Sequence, residues 1–547
     1  MTLLLLSFQL LAAVAIGACA THRLVLLCMT WMHRRNTVPT PPALGDARAP
    51  TVLVQMPVYD ERDVVARLLT AVAALDWPRD RLHLQLLDDS DDDTPAIAAP
   101  IVARLAAEGH DITHLRRGSR AGFKAGALTH GLQADAGRAG GPAEYVAILD
   151  ADFVPEPSFL RHALPPLLDD PRVGLVQARW THLNREASLL CRAQAGLLDG
   201  HFLLEHGARA RAGRFFNFNG TAGVWRRAAI DDAGGWSGDT LCEDLDLSYR
   251  AQLAGWRFVF LPGLTVPAEL PADAAAFKSQ QHRWAKGSIQ VARKLLGPIW
   301  RAPVSLGVKL EATFHLGSGL TWLVLLPLLL IYPLGVLAQA LALTGATDAG
   351  HPGASAGALD PLVLAAALSS TLLFYGVAAL MAPERGRLAR LLALPLVFAA
   401  AIGLAFNNTR AVLSGLRGEV SPFVRTPKAG THGKTSYASR GDVAAPFECL
   451  TGLLLAVAAV MALSAGRPWS AALAALPAAG LLRLGLGSLR RPRLRRRPRP
   501  GARPRVSTTP TTRTAGRRPP EPPTPAPPRA LPPPREPTPG TTTAAVR

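Results

Sequence analysis

Residues 144–160 read EYVAILDADFVPEPSFL, and the rest of the chain is organised around them. The apolar run Tyr145 to Leu149 is a buried-type strand that ends in Asp150-Ala151-Asp152, where a strand would leave its sheet. In an open α/β sheet, ligands bind at that edge. A hard cation held by one or two carboxylates and by substrate phosphates is the usual magnesium arrangement, so Asp150 and Asp152 are candidate metal ligands. A strand cap followed by a turn at Pro155 and Pro157 accounts for the same residues without a metal.

The chain has 547 residues, 49% of them hydrophobic, with several uninterrupted apolar runs, which describes a membrane protein carrying a soluble part. Its net charge of +19 is concentrated at one end: residues 490–547 hold 15 Arg and 2 Glu, so the remainder is close to balanced. Such a tail marks a cytoplasmic flank or a contact with anionic membrane lipids. It lacks the aromatic interleaving of a single-strand binder, and no nucleic-acid partner is expected. The five cysteines, Cys19, Cys28, Cys191, Cys242 and Cys449, form no C-x-x-C pair, which gives neither a zinc site nor a disulfide framework.

Residues 1–35 read as an N-terminal anchor: a membrane helix over 2–21, then an interface helix from Leu24 to Met32, closed by His33-Arg34-Arg35. No basic segment precedes the apolar run, so it is read as an uncleaved anchor, and its basic flank assigns the adjoining segment to the cytoplasm. A Pro-rich linker, 36–50, leads to a soluble domain over 51–300. There, strands at Thr51 to Met56, Leu82 to Leu87, 112–115 and Tyr145 to Leu149 alternate with helices at Asp63 to Leu75, 95–108 and after Gly122. A further strand, Val173 to Gln177, precedes a helical 186–206. This alternation predicts an α/β domain with a doubly wound parallel sheet.

Residues 301–489 read as a transmembrane region, with apolar runs at 311–347, 361–382, 391–406, 443–466 and 469–489. Counting every run as a span gives six with the N-terminal helix, and six would put the Arg- and Lys-rich loop 407–442 and the basic tail outside. With 391–406, which contains Pro395 and ends at Asn407-Asn408, lying at the interface or re-entering, five spans bring both basic regions to the cytoplasmic side. The Arg/Pro-rich tail, 490–547, cannot bury a core and is expected to be disordered.

Polar clusters recur along the soluble domain in a fixed order: PVYDE at 57–61, LLDDSDD at 86–92, GFKAGAL at 122–128, ILDAD at 148–152, FNGTAG at 218–223, EDLDLSYRAQLAGW at 243–256 and QQHRW at 280–284. In this order they resemble the membrane-embedded family-2 glycosyltransferases: cellulose synthase and the cellulose-synthase-like mannan and glucan synthases, with hyaluronan synthase and ceramide glucosyltransferase more distant. The resemblance covers 51–300. It extends to Phe423-Val424-Arg425-Thr426-Pro427-Lys428, which is similar to the F-x-V-T-x-K gating loop of the synthases, with Arg425 in place of the usual valine. It implies a GT-A type domain that transfers a hexose, with inversion, from GDP-mannose or UDP-glucose to a growing β-linked polysaccharide.

The resemblance also implies residue roles. A cofactor ion, Mg2+ or Mn2+, at Asp150 and Asp152 would neutralise the charge developing on a diphosphate leaving group. Nucleotide-sugar contacts are implied for Tyr59, Glu61, Asp88, Asp89, Lys124, Asp150 and Arg283. Glycine before Lys124 admits backbone close to a phosphate, although a lysine at a helix start is common; Asp89 suits a helix N-cap equally well. Asp244 is the candidate general base, with Glu243 beside it and Cys242 where the family often has Thr; Asp246 reads as a helix-start charge. Acceptor contacts are implied for Asn219, Gly220, Thr221, Gln280 and Trp284, the last by stacking on a sugar. An interface helix accounts for Arg283-Trp284 as well, and the two readings are compatible. Phe423, Thr426 and Lys428 are the gating-loop candidates.

The implied partners are a nucleotide-sugar donor, a carbohydrate acceptor and membrane lipids, with export or accessory partners left open. The nearest alternative is a non-processive enzyme with a lipid acceptor, favoured by membrane helices that are mostly Leu and Ala with few aromatics. A catalytically silent scaffold would have lost an aspartate or the Arg-Trp pair, and none is lost. A transporter would carry intramembrane charges, of which Glu448 is one of few. A composition rich in Ala, Gly, Pro and Arg points to a GC-rich bacterial genome and so to the cytoplasmic membrane.

Overall fold

The computed structural model describes residues 2–343, 361–384, 386–419, 425–426, 428 and 443–489. Its strands are β1 (Val52–Val58), β2 (Leu82–Asp88), β3 (Asp111–Arg116), β4 (Tyr145–Ile148), β5 (Val173–His182), β6 (Gly223–Arg226) and β7 (Arg257–Ala268). They form one sheet in the order β3-β2-β1-β4-β6-β5-β7. β1 runs parallel to both β2 and β4, and β2 to β3.

The apolar runs exist because the sheet is covered on both faces. Val52, Val54 and Met56 of β1 and Tyr145 and Ala147 of β4 enter one core with the Val65–Ala73 helix; Leu53, Val146 and Ile148 enter the other with Leu128 and Leu132. The α/β, doubly covered expectation therefore holds, but the sheet is mixed. β6 is antiparallel to β4 and β5, while β5 and β7 pair in parallel. β6 begins at the last residue of the cluster 218–223, Gly223, where a Cβ would meet the Phe218 ring at 2.7 Å.

Two buried glutamines register the Phe123–Ala136 helix on the sheet. Gln55 Nε2 donates to Gln85 Oε1 (3.2 Å) and to the Leu128 carbonyl (3.2 Å), and Gln85 Nε2 donates to the Gly131 carbonyl (3.0 Å). A side chain at 131 would strike Gln55, so glycine there lets the helix approach. This fixes the helix that carries Lys124.

The membrane part corrects three expectations. The N-terminal helix is continuous over Thr2–Met32, with no break near residue 21. His22 meets Glu311 at 3.0 Å and Arg23 donates to Thr371 Oγ1 at 2.8 Å, so the polar pair is satisfied within the bundle and does not end the helix. Residues 394–417 form two helices, Leu394–Gly403 and Ala405–Arg417, bent by 46°, the geometry of a broken span or a re-entrant loop. The loop expected over 407–442 thus begins with helix. Asn407 and Asn408, read as a stop, are buried instead, Asn407 Nδ2 donating to the Lys278 carbonyl at 2.9 Å.

Four helices among the described residues are long and apolar enough to cross a membrane: Leu10–Met32, Leu306–Val336, Ala445–Ser464 and Pro468–Leu489. The bent pair makes up to five, and Leu368–Met381 is a shorter apolar helix. The linker 36–50 is pinned to the domain: the amide of Leu44 donates to the Arg161 carbonyl (2.9 Å), and Arg161 Nη1 donates to the Leu44 carbonyl (2.8 Å). The tail 490–547 lies outside the described residues.

Candidate active site

The C-terminal ends of β1, β2 and β4 open into one cavity. Its walls hold Tyr59, Glu61, Asp89, Lys124, Asp150, Asp152, Asn219, Gly220, Glu243, Asp244, Gln280, Arg283, Trp284, Thr426 and Lys428. Residues more than 350 positions apart in the chain therefore share one site.

Asp150 and Asp152 stand in the turn after β4, where the Phe153 amide bonds back to the Asp150 carbonyl at 3.0 Å. Lys124 Nζ donates to Asp150 Oδ1 at 2.6 Å and to the Gly220 carbonyl at 2.7 Å. Burial works against the Lys124 charge, but Asp150, Glu243 and Asp244 together hold its pKa above the ordinary value. Lys428 Nζ donates to Asp152 Oδ2 at 2.7 Å, and the same oxygen accepts from the Glu269 amide at 3.1 Å. Each carboxylate thus already faces one positive charge and keeps a second oxygen. Two hard oxygen donors in one cavity fit a divalent cation whose shell is completed by donor phosphates. Among the described residues, no group of three His, Cys, Asp or Glu could hold a metal alone.

Asp244 is the second residue of the Glu243–Leu253 helix, near its positive end, and its Oδ1 accepts from the Leu245 amide at 2.8 Å. Burial first, and Glu243 second, push its pKa up to about 7 against the pull of Lys124 and Arg283. Gly220 comes so close that a Cβ there would lie 2.9 Å from Asp244 Oδ2, and its φ of +82° favours glycine. Cys242, at the position of the family's threonine, is buried with its Sγ against Gly287, and burial pushes the thiol pKa well up. It packs the site. Trp284 lines the cavity and packs beside Tyr249 and Val291.

Two expected contacts lie behind the wall. Asp88 is 1% exposed, its Oδ2 held by His114 Nε2 at 2.8 Å and its Oδ1 by the Ser90 amide at 2.9 Å, so it shapes the loop after β2. Thr221 is fully buried, and its Oγ1 accepts from the Asp150 amide at 2.9 Å. Asp89 caps no helix: it is gripped by Arg117 at 3.0 and 2.5 Å on the cavity wall. Glu61 is buried and paired with Arg425 Nη2 at 2.5 Å, burial raising its pKa to about 7 in spite of that partner. The substituted gating-loop residue therefore has a partner of its own. Phe423 lies outside the described residues.

Several wall residues had no sequence expectation. The Arg120 guanidinium stacks 3.3 Å from the centre of the Tyr59 ring. Trp180 and His182 alternate at the end of β5 beside Phe153 and Leu198. Burial, with Arg185 and Arg179 adding to it, brings the His182 pKa down to about 3, so the imidazole is neutral. The alternation Trp180-x-His182 is the signal that would have found them, had the strand been followed past Gln177.

Residues 49–287 match the family model described as "Glycosyltransferase like family 2". This segment is a family-2 glycosyltransferase domain. The chain is 46% identical over 259 residues to glucomannan 4-beta-mannosyltransferase 2 of Arabidopsis thaliana, covering 47% of this chain and 48% of the relative. It is 45% identical over 263 residues to glucomannan 4-beta-mannosyltransferase 1 of Oryza sativa subsp. japonica, covering 48% of this chain and 50% of the relative. The matched segment thus spans about half the length of each plant relative. Among solved structures, a mannosyltransferase from Pyrobaculum calidifontis in complex with GDP-Man and Mn2+ aligns with TM-score 0.48 at 20% identity, over 76% of this chain and all of that one. The mixed seven-stranded sheet of the glycosyltransferase domain is GT-A-like. The expectation of a bacterial membrane gains no support from these relatives, which are plant proteins.

Proposed function

We propose that the protein is a membrane-bound inverting glycosyltransferase that moves a hexose from GDP-mannose or UDP-glucose onto a growing β-linked polysaccharide. The observation that carries this reading is the one cavity that gathers Asp244, a carboxyl with a pKa of about 7, with Lys124, Asp150, Asp152 and Trp284. The likeness to glucomannan 4-beta-mannosyltransferases supports the polysaccharide product.

In the transfer, an acceptor hydroxyl oxygen bonds to the anomeric carbon as the bond from that carbon to the diphosphate oxygen breaks. The electron pair leaves with the diphosphate and the hydroxyl proton passes to Asp244. In-line attack inverts configuration, so an α-linked donor yields a β-linked product. Asp150 and Asp152 would hold a divalent cation, which supplies Lewis-acid neutralisation of the leaving group. Lys124, Lys428 and Arg283 add fixed positive charge around the same place. Tyr59, Glu61, Asp89 and Arg120 form the wall assigned to the nucleotide. Asn219, Gly220, Gln280 and Trp284 form the wall assigned to the acceptor, where the apolar surface of Phe153 and Trp180 suits the C–H face of a sugar.

The test is transfer of radiolabelled sugar in membranes containing the full chain, with GDP-mannose and UDP-glucose supplied separately, with and without EDTA. Label retained in polymer after organic extraction, and lost with EDTA, is the expected result. Label that extracts into chloroform and methanol contradicts the polysaccharide acceptor and favours a lipid one.

A further inference from the structure

His201 lies on the seven-residue π-helical stretch Gly200–His206 that continues the Leu189–Asp199 helix, and such stretches gather at functional sites. Its ring joins two polar groups. Nε2 is 2.9 Å from Asn219 Oδ1, and Nδ1 is 3.3 Å from Glu205 Oε2. The hydrogen-bond network fixes the protons. Asn217 Nδ2 donates to the Phe218 carbonyl at 2.9 Å, so the Asn219 atom it meets at 3.2 Å is an acceptor, Oδ1. His201 Nε2, bound to that same oxygen, therefore donates.

Nδ1 faces a carboxylate. Burial opposes its ionisation, but the hydrogen bond from His201 and the charge of Arg209 bring the Glu205 pKa down to about 2. Behind Glu205 the charges continue: Arg209 lies 3.9 Å from Glu205 and 2.9 Å from Glu311, and Glu311 meets His22 of the N-terminal helix at 3.0 Å. A buried imidazole, His206, packs edge-on to His201. With Oδ1 engaged twice, Asn219 Nδ2 is a buried donor with no protein partner, on a residue that lines the cavity.

We infer that His201 is a positioning residue for the acceptor: tied to Glu205, it fixes the Asn219 amide so that Nδ2 is presented to a hydroxyl of the acceptor sugar. This rests on the acceptor-side assignment of Asn219 above. It adds the reason that a histidine and a glutamate one helical turn apart stand behind a loop they do not belong to.

The test uses the detergent-purified full chain, the donor that supports transfer, and a β-1,4-linked hexose tetrasaccharide as acceptor. His201→Ala is expected to raise the acceptor KM about tenfold, roughly one hydrogen bond, and to leave hydrolysis of the donor without acceptor unchanged. Asn219→Ala is expected to raise the same KM, and the double variant to be no worse than Asn219→Ala, because both changes remove one interaction. His201→Gln, which keeps a donor for Oδ1, is expected to recover part of the loss. Effects of the two single changes that multiply in the double variant, or an equal loss of donor hydrolysis in His201→Ala, overturn the inference. Absence of transfer by the parent chain from either donor contradicts the glycosyltransferase proposal and, with it, this one.

Discussion

Asp244 carries opposed demands. Its pKa stands at about 7 in the fold against an ordinary 3.8, because burial and Glu243 both disfavour its charge. Between those values the native state keeps a proton that the unfolded chain has released, so this carboxyl withdraws stability as pH rises through the window. Above pH 7 the native protein holds the ionised form at its full cost. Asp244→Asn removes that cost, and we expect its midpoint of thermal unfolding above about pH 7 to exceed that of the parent, while transfer falls by about 10²- to 10⁴-fold. Catalysis has the other sign: a base must be deprotonated, so the transfer rate of the parent should rise with pH through about 7. Scanning fluorimetry and initial rates over about pH 5.5 to 8.5 check both. The candidate carboxylates and Lys124 were legible because each follows a strand or opens a helix in a recognisable cluster, and Trp284 because it closes the cluster QQHRW. Asp88 and Thr221 lie behind the cavity wall, because a cluster does not say which of its members turns inward: one answers His114, the other the Asp150 amide.

The Ala274–Arg301 helix brings Gln280, Arg283 and Trp284 to the cavity, and its start is locked to the membrane helices. Lys278 Nζ meets Glu448 Oε2 at 2.6 Å, with side chains only 2% and 0% exposed. Removing one member of such a pair strands the other charge and costs about 3–5 kcal/mol, whereas replacing both by apolar residues of similar size is close to neutral. Lys278→Met should therefore unfold earlier on heating in detergent than the Lys278→Met/Glu448→Leu double variant. A double variant as unstable as the single one would mean that the pair contributes through other contacts. At this scale the strands buried on both faces were readable as apolar runs. β6 and β7 were not: β6 has four residues, and β7 is interrupted by Pro262, Gly263 and Pro267. The Ala405–Arg417 helix was missed because Asn407 and Asn408 signal a stop locally, and only the Lys278 carbonyl on a distant helix satisfies them.

For the whole molecule, the cavity draws on segments from residue 57 to residue 428, so the loop near Lys428 and the glycosyltransferase domain must share one side of the membrane. We propose, from the basic flanks of the apolar runs, that this side is the cytoplasm and that the turn between Ala445–Ser464 and Pro468–Leu489 lies on the opposite side. With the five native cysteines replaced, Arg467→Cys should react with an impermeant maleimide added to sealed cells and Ser119→Cys should react only after lysis. The reverse pattern would invert the topology. The central claim is in-line displacement with Asp244 as base, and proton NMR of the new glycosidic linkage, made from an α-linked nucleotide sugar, tests it most directly. A β-configured anomeric proton that is absent with Asp244→Asn is the predicted result; an α-configured product, or undiminished product from Asp244→Asn, would contradict it.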